Sequence, residues 1–389
     1  MRLLLAAPGS RGDFQPMLAL ALGLRAAGHE AVLAARPLYA PDAAAFSVPF
    51  EPLGQDIDAF IRSQPAAGPG RTSPSGVQAF LEQEFLTHLE RIPALSRGVD
   101  LVLGAGMSFA IRSAAESVGV PYLAVAYAPG VFLTGGRRSI AMPEVLLQTL
   151  RSFHSRHGLP AVEELLAYAF APERVLLAAD AELVGPLDGV KLWRPPPGAL
   201  LLDDPRPLSA EVEAFLAAGE PPVYVGFGSL SGSQPALDER LVHEVATAVG
   251  CRVLFFTGKA VPPQREPFGR VLPIGHTAHG PLFARVRAVV HHGGAGTLAA
   301  AARAGVPQVV VPHAFDQPFW AERAHQLGIA PAPVPARGVT AHPLASAVQQ
   351  ALTDDRLREQ ARGLAATLSS RSGVDTVVAA LTGSGVPRD

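Results

Sequence analysis

The stretch His291-His292-Gly293-Gly294-Ala295-Gly296-Thr297 decides the fold of this chain. It follows an apolar run and precedes an alanine-rich one, which predicts a strand over 287–291 and a helix over 296–304. Glycines let a ligand approach the backbone closely, and the first N–H groups of a helix attract anions. His292 and Thr297 can add side-chain donors, so we expect a diphosphate here. The alternative is a tight turn with a histidine buried for packing.

Alternating strands and helices surround this motif on both sides. In the second half, strands are predicted over 223–227, 252–256 and 308–311, with a helix over 237–249. In the first half, strands are predicted over 2–7, 31–35, 101–103 and 122–126, with helices beginning near Pro16 and covering 109–118. Such series predict parallel sheets. We therefore expect an α/β protein with two facing Rossmann-like domains and a ligand cleft between them at the carboxyl ends of the strands.

A proline-rich stretch separates the two halves. The segment 192–198 contains three consecutive prolines, which neither a helix nor a central strand accommodates. The sequence predicts an N-terminal domain over 1–200 and a C-terminal domain over 201–370, with the connector at about 192–220. A helical tail over 371–389 could pack back on the first domain, and the Pro-, Gly- and Ser-rich segment 64–76 is expected to be a surface loop.

Composition excludes several classes of protein. The 389 residues carry a formal net charge of −2 with no basic run, which argues against a nucleic-acid partner. Cys251 is the only cysteine, so no disulfide can form within the chain. No apolar stretch reaches the ~18 residues of a membrane span. We expect a cytoplasmic protein with no integral membrane contact, either a monomer or a homodimer.

The motifs resemble those of one enzyme family. From His279 to Trp320 the chain reads His-Gly-Pro-Leu-Phe, then the glycine motif, then Arg-Ala-Gly-Val-Pro-Gln and Asp-Gln-Pro-Phe-Trp. The segment Gly9–Pro16 resembles the first loop of the same family. Together they resemble the GT-B-fold glycosyltransferases, especially those acting on sterols and antibiotic aglycones. The middle of the first half, about 37–190, carries no matching motif, and this is where the family places its acceptor pocket.

The resemblance implies a role for each matched residue of the donor half. The glycine motif would contact the donor diphosphate, and Asp316 and Gln317 would bind hydroxyls of the donor sugar, although they could also cap the helix that follows. The hydroxyl of Ser229 would reach a phosphate. His276 and Thr277 would bind the base, although His276 stands where relatives carry a larger aromatic residue. The implied donor-binding set is Ser229, His276, Thr277, His292, Gly294, Ala295, Gly296, Thr297, Asp316 and Gln317.

Asp13 is the candidate catalytic base, because relatives place a His or an Asp at the matching position. The family's orienting Asp is absent from the loop after strand 101–103, which reads Gly104-Ala105-Gly106, and an Asp base needs no such partner. Asp13 could instead only cap the following helix. No Asp-x-Asp motif occurs in an apolar setting, so we expect no metal and no cofactor. Residues near predicted strand ends that could line the acceptor pocket are Phe14, Met107, Phe109, Tyr127 and Phe132.

The sequence therefore predicts an inverting, metal-independent hexosyltransferase. Its co-substrate would be a UDP- or dTDP-sugar, and its acceptor a small, largely apolar molecule such as a natural-product aglycone, a sterol or a polyketide, as in antibiotic biosynthesis. Two alternatives share the architecture. One is a sugar-nucleotide 2-epimerase, which needs several acid/base groups around the sugar, and the other is a non-catalytic auxiliary protein that keeps the fold.

Overall fold

The computed structural model describes residues 1–55, 74–106, 109–130, 144–228, 239–258, 261 and 269–383. The chain divides into two compact units. The first unit comprises Met1–Leu202 together with the C-terminal segment from Ser372, and the second comprises Asp203–Arg371. Of the described helices, none combines the length and the apolar character that crossing a membrane requires.

Strands and helices alternate through both units. The strands are β1 (Arg2–Ala7), β2 (Glu30–Ala35), β3 (Phe50–Pro52), β4 (Leu101–Ala105), β5 (Tyr122–Ala126), β6 (Val175–Leu177), β7 (Val223–Gly226), β8 (Val253–Phe256), β9 (Val271–Ile274), β10 (Ala288–His291) and β11 (Gln308–Val310). The helices are α1 (Arg11–Ala26), α2 (Ala40–Ala45), α3 (Pro74–Leu95), α4 (Ile111–Glu116), α5 (Glu144–His157), α6 (Leu165–Ala169), α7 (Ala181–Val184), α8 (Ala210–Ala217), α9 (Glu239–Val249), α10 (His279–Phe283), α11 (Ala295–Arg303), α12 (Gln317–Gln326), α13 (Ala341–Thr353), α14 (Asp355–Leu368) and α15 (Gly373–Gly383).

The first unit is built on a six-stranded parallel sheet in the order β3-β2-β1-β4-β5-β6. The central strands β1 and β4 are apolar on both faces, and Leu3, Leu5 and Leu103 are fully buried. Each such side chain contributes ~1.5–3 kcal/mol by burial, which explains why continuous apolar runs form the centre of the sheet. The pairing places the loops after β1 and β4 side by side at one edge of the sheet.

Helix α1 begins at Arg11, so the prediction of a helix beginning near Pro16 was wrong by five residues. Ser10 is the N-cap residue and forms a capping box with Asp13. Pro16 lies inside the helix and is buried, although it removes one backbone hydrogen bond. The capping box closes the first turn in a stretch that looks like a loop in the sequence.

The C-terminal helix α15 packs on α1. Val377 and Leu381 are buried in the core of the first unit, and a Cβ on Gly23 of α1 would lie 2.3 Å from Val374. A Cβ on Gly373 would lie 2.7 Å from the backbone carbonyl of Gly198. The glycines thus allow the end of the chain to lie directly against this unit.

The second unit is built on a five-stranded parallel sheet in the order β11-β10-β7-β8-β9. Its two faces are covered by separate apolar clusters, one around Val225 and Val290 and the other around Tyr224 and Leu254. Two parallel-sheet units confirm the predicted α/β class. Strands β10 and β7 are direct neighbours, and β11 follows on the other side of β10, so the loops after these three strands meet at one edge.

Candidate functional site

The glycine motif forms the turn between β10 and α11. Gly293 has a φ of +91°, and a Cβ there would lie 3.0 Å from the carbonyl oxygen of Gln317, so the position requires glycine. Gly294 is the N-cap residue and offers no side-chain acceptor to the first N–H groups of α11. Gly296 is exposed, with open space where a Cβ would stand. This helix N-terminus is suited to an anion, and Thr297 lies in its first turn.

His291 holds this turn in place. Its ring is fully buried, Nδ1 accepts the N–H of Gly293 at 3.0 Å, and Nε2 lies 2.8 Å from Oε1 of Gln308. The accepting Nδ1 assigns the proton to Nε2, which therefore donates to Gln308. The Gln308 amide donates in turn to the carbonyl of Leu298 in α11, at 3.3 Å. Burial lowers the pKa of His291 to about 3, so this ring is a neutral structural link between β10, β11 and α11.

His292 lies between two glycines. A Cβ on Gly228 would stand 2.6 Å from its Cε1 atom, and one on Gly294 would stand 2.6 Å from its Nε2 atom. Burial, reinforced by the neighbouring His313, lowers the pKa of His292 to about 4, while the Gly226 backbone opposes the shift. The ring is therefore neutral at pH 7 in the empty site, and it can donate one hydrogen bond.

Asp316 and Gln317 begin helix α12, next to the glycine turn. Oε1 of Gln317 accepts the backbone N–H groups of His313 at 2.8 Å and Ala314 at 3.1 Å, which closes the loop after β11. Oδ2 of Asp316 accepts the indole N–H of Trp320 at 3.1 Å. Because this oxygen is used within the loop, the Gln317 amide can offer a ligand its N–H groups. Asp316 occupies the N-cap position of α12, but within the described residues its side chain makes no capping hydrogen bond to that helix.

The loop after β9 carries the two residues assigned to the base. His276 is exposed and its ring lies 5.1 Å from the ring of Phe256, at the end of β8, in a tilted arrangement. Thr277 is half-buried. Ser229 lies outside the described residues, and the chain is described up to Gly228, which has a φ of +68°.

In the first unit, Asp13 is the third residue of α1. Its Oδ2 atom accepts the backbone N–H of Ser10 at 2.7 Å and the Ser10 hydroxyl at 3.1 Å. In return, the Ser10 hydroxyl accepts the N–H of Gly12 at 3.2 Å. The carboxyl group therefore has a fixed orientation at the end of the loop after β1.

Two glycines make room for the Asp13 carboxyl group. A Cβ on Gly9 would lie 2.1 Å from Oδ2, and one on Gly106, in the loop after β4, would lie 2.6 Å from Oδ1. Burial raises the pKa of Asp13 above its ordinary value, while the hydrogen bonds from Ser10 and the charge of Arg36 oppose that shift. The Tyr127 hydroxyl donates to the backbone carbonyl of Asp13 at 3.2 Å. Tyr127 thus contacts the candidate base through the backbone.

The residues expected to line an acceptor pocket have different surroundings. Phe14 is fully buried, with its ring stacked on Tyr39 at 4.4 Å, so it belongs to the core of the first unit. Phe109 is 5% exposed and meets Phe170 edge-on at 6.0 Å. Both side chains make packing contacts. Met107 and Phe132 lie outside the described residues.

Two residues near these sites were missed in the sequence. The buried guanidinium of Arg36 donates to the backbone carbonyls of Pro8, Gly9 and Gln55 and pairs with Glu84 at 3.4 Å. It therefore holds the loop that leads from β1 to the first turn of α1, where Asp13 lies. An arginine directly after a buried strand, as in β2, was the available signal. His313 follows β11 and lies near His292. Within the described ranges, no group of three or more His, Cys, Asp or Glu side chains could hold a metal ion.

Comparison with known proteins gives matches in both units. Residues 3–132 match the glycosyltransferase family 28 N-terminal domain, and residues 269–383 match the C-terminal domain of erythromycin biosynthesis protein CIII-like proteins. Glycosyltransferase GtfC of Amycolatopsis orientalis is 35% identical over 95% of this chain and 94% of its own length. Vancomycin aglycone glucosyltransferase of the same organism is 35% identical over 91% of each chain.

Solved structures share the fold at lower identity. The glycotransferase of kitacinnamycin superposes with a TM-score of 0.72 at 20% identity, covering 98% of this chain and 97% of its own. Glycosyltransferase SsfS6 of Streptomyces sp. SF2575, solved with thymidine diphosphate, superposes with a TM-score of 0.65 at 24% identity, covering 99% and 100%. This chain thus shares the fold of two parallel-sheet units with these glycosyltransferases over at least 98% of its length.

Proposed function

The chain belongs to the GT-B-fold glycosyltransferases that include the antibiotic-aglycone enzymes, and from this premise we propose the reaction it catalyses. It moves a sugar from a dTDP- or UDP-sugar to a hydroxyl group of a small, largely apolar acceptor, with inversion at the anomeric carbon. Vancomycin aglycone glucosyltransferase and the SsfS6 complex with thymidine diphosphate support this choice of acceptor and donor class.

The observation that carries the proposal is the contact between the glycine turn and the loop after β11. A Cβ on Gly293 would meet Gln317 at 3.0 Å, so the uncapped N-terminus of α11 and the start of α12 are adjacent. The first supplies N–H donors for a diphosphate, and the second supplies Asp316 and Gln317 for sugar hydroxyls. A sugar nucleotide carries these two groups next to each other.

The leaving group is stabilised by groups that are already in place. As the bond from the anomeric carbon to the diphosphate breaks, negative charge grows on the phosphate oxygens. The N–H groups of Gly294, Ala295, Gly296 and Thr297 and the imidazole of His292 are proposed to bind those oxygens. Donors fixed before the reaction lower the barrier without reorganisation, so no metal ion is required in this mechanism.

Asp13 is proposed as the general base. Its Oδ2 atom is engaged by Ser10, so Oδ1, beside Gly106, takes the proton from the acceptor hydroxyl as the acceptor oxygen bonds to the anomeric carbon. Burial favours the neutral acid, which makes the carboxylate a stronger base than an exposed Asp. Tyr127 and the loop before Met107 lie on the same side of the first unit and are proposed to contact the acceptor, together with Met107 and Phe132.

The donor half is tested with His292→Ala. We expect UDP-glucose or dTDP-glucose to bind the wild-type protein in the presence of EDTA, as measured by calorimetry. In the variant, the barrier to turnover should rise by about 2–4 kcal/mol, which is the effect of removing one charge-stabilising donor. Exposed His342→Ala, in the second unit, is the control and should retain full activity.

Two outcomes would contradict the proposal. A strict requirement for Mg²⁺ or Mn²⁺ would contradict the metal-free mechanism, and unchanged turnover of His292→Ala would leave this residue a packing role. Formation of an epimerised sugar nucleotide without transfer would favour the epimerase alternative.

A further inference from the structure

His313 is an unusual residue because both of its ring nitrogens are buried without a hydrogen-bond partner among the described residues. A neutral imidazole carries one donor and one acceptor, and native folds leave few buried polar atoms unpaired. Leaving them unpaired destabilises the empty protein. A function that requires an imidazole at this position explains its presence better than packing does, since Phe or Leu would fill the space without that cost.

The position of His313 is set by rigid surroundings. Its backbone N–H donates to Oε1 of Gln317 at 2.8 Å, which fixes the loop after β11. Its ring meets Phe227 edge-on at a centroid distance of 6.1 Å. The ring with the unpaired nitrogens is therefore held through its backbone by Gln317 and through its edge by Phe227, the residue after β7.

The same strand end contacts His292. Gly228, the residue after Phe227, abuts the His292 ring. Nδ1 of His292 is also buried without a hydrogen-bond partner of normal geometry in the described part of the chain. The two rings are close enough for His313 to affect the protonation of His292. Two incompletely paired imidazoles thus lie beside the turn where the diphosphate is proposed to bind.

We propose that His313 is a second imidazole ligand of the donor diphosphate, which acts together with His292 and takes up a proton when the sugar nucleotide binds. This inference rests on the proposed function of the glycine turn and adds a donor-binding residue that the sequence motifs do not indicate. Besides His313, the titratable group that interacts with His292 is His291, and His291 interacts in turn with His279. Burial keeps the His291 ring neutral, and its Nδ1 atom already accepts the N–H of Gly293, so this ring does not compete for the proton.

The charge of the two imidazole rings in the empty site predicts how ligand binding depends on pH. Burial lowers the pKa of both His292 and His313, so both rings are neutral at pH 7 without ligand. The negative charge of a diphosphate favours the protonated imidazole and raises its pKa. Proton uptake then accompanies binding, and affinity should decrease as the pH rises.

The test uses UDP-glucose and dTDP-glucose, because both phosphates of these compounds are diesters and do not titrate between pH 6 and 8. Calorimetry at several pH values measures the dissociation constant for the wild type, His313→Phe and His313→Gln. We expect His313→Phe to bind about 10-fold more weakly or worse at pH 6.5 and to lose most of the pH dependence. His313→Gln, which restores a neutral donor, should recover part of the affinity but not the pH dependence.

Thermal unfolding separates this role from packing. Because His313→Phe removes two unpaired buried nitrogens and keeps an aromatic ring against Phe227, its Tm should be equal to that of the wild type or higher. Exposed His243→Phe on α9 is the matched control and should change neither affinity nor its pH dependence. Wild-type affinity and pH dependence in His313→Phe would overturn the inference, as would a parallel loss of Tm and affinity in both His313 variants. Failure of the wild type to bind either sugar nucleotide would instead overturn the proposed function.

Discussion

Asp13 is a capping residue and, in our proposal, a base, and Asp13→Asn separates the two roles. Asparagine keeps an oxygen that can accept from Ser10, so the capping box and the start of α1 should persist. It cannot accept the proton of the acceptor hydroxyl. We expect turnover to fall by about 10²–10⁴-fold, with unchanged donor affinity. The assay requires an alcohol acceptor, because a phenol already ionised at the assay pH needs no base.

The pH dependence of the rate provides a control for this experiment, because Asp13 can act as a base only when it is ionised. Burial raises its pKa above the ordinary value of 3.8, so the base is lost as the pH falls through the raised pKa. The wild-type rate should therefore show an acid limb at a higher pH than an exposed aspartate would give, and the residual rate of Asp13→Asn should lack it. The contribution of Asp13 to the free energy of unfolding has the opposite dependence on pH. A raised folded-state pKa favours folding at low pH, and this contribution is lost as the pH rises through it. At pH 7, Asp13→Asn should therefore have an equal or higher Tm, and near-normal turnover would leave Asp13 only a capping role.

The loop between β1 and α1 must keep the Asp13 carboxyl group in place, and the variant Gly9→Ala tests this requirement. Gly9 does not have a positive φ, so alanine is allowed by the backbone, but its Cβ would stand 2.1 Å from Oδ2 of Asp13. The carboxyl group must move, and misplacement by about 1 Å can cost roughly 10²-fold in rate. Turnover should fall by that order while the dissociation constant for the donor is unchanged.

Gly12→Ala is the matched control for Gly9→Ala. Gly12 is exposed in the first turn of α1, and its Cβ would come no closer than 3.4 Å to another atom. Alanine favours a helix over glycine by up to ~1 kcal/mol, so this variant should be as active as the wild type and equally or more stable. Equal activity of Gly9→Ala and Gly12→Ala would show that the contact with Asp13 does not matter for the reaction.

Elements with strong apolar periodicity could be predicted from the sequence. The strand, turn and helix around the glycine motif were predicted to within one residue, and Tyr122–Ala126 was predicted without error. The short strands β3, β6 and β9 were not predicted, because runs of three or four residues have no measurable period. The equally short β11 was predicted from the apolar run that follows the glycine motif. The early start of α1 was missed because side-chain capping, and not apolar spacing, determines it.

Candidate site residues also differed in whether the sequence could reveal them. His292 and Asp13 could be proposed from motifs that stand in one stretch of sequence. The buried pairing of Arg36 with Glu84 joins residues that are 48 positions apart, and the orphaned nitrogens of His313 depend on the packing of β7 against β10. Contacts between distant segments leave no local pattern. The use of the Gln317 oxygen by its own loop likewise depends on the conformation of that loop.

At the scale of the whole molecule, each unit gathers its candidate residues at the carboxyl ends of parallel strands. In the first unit these are the loops after β1 and β4, with Asp13 and Gly106, and in the second the loops after β7, β10 and β11. Parallel sheets bind ligands at this edge, because helix N-termini and glycine turns lie there. The proposed roles are divided in the same way, with the candidate base in one unit and the candidate donor-binding groups in the other.

This division predicts the stereochemical outcome. A retaining double displacement needs a carboxylate that forms a covalent intermediate with the sugar. In the second unit, Asp316 is the candidate for this carboxylate. Its Oδ2 atom accepts the indole N–H of Trp320, and the residue is the N-cap of α12. This setting suits binding of hydroxyls better than nucleophilic attack. A single displacement needs only one base, the role that we propose for Asp13. An α-linked sugar nucleotide should therefore give a β-linked product. For a gluco-configured sugar, the anomeric proton coupling in the NMR spectrum of the product distinguishes the two. An α-linked product would contradict the single displacement and would require Asp316→Asn, rather than Asp13→Asn, to abolish transfer.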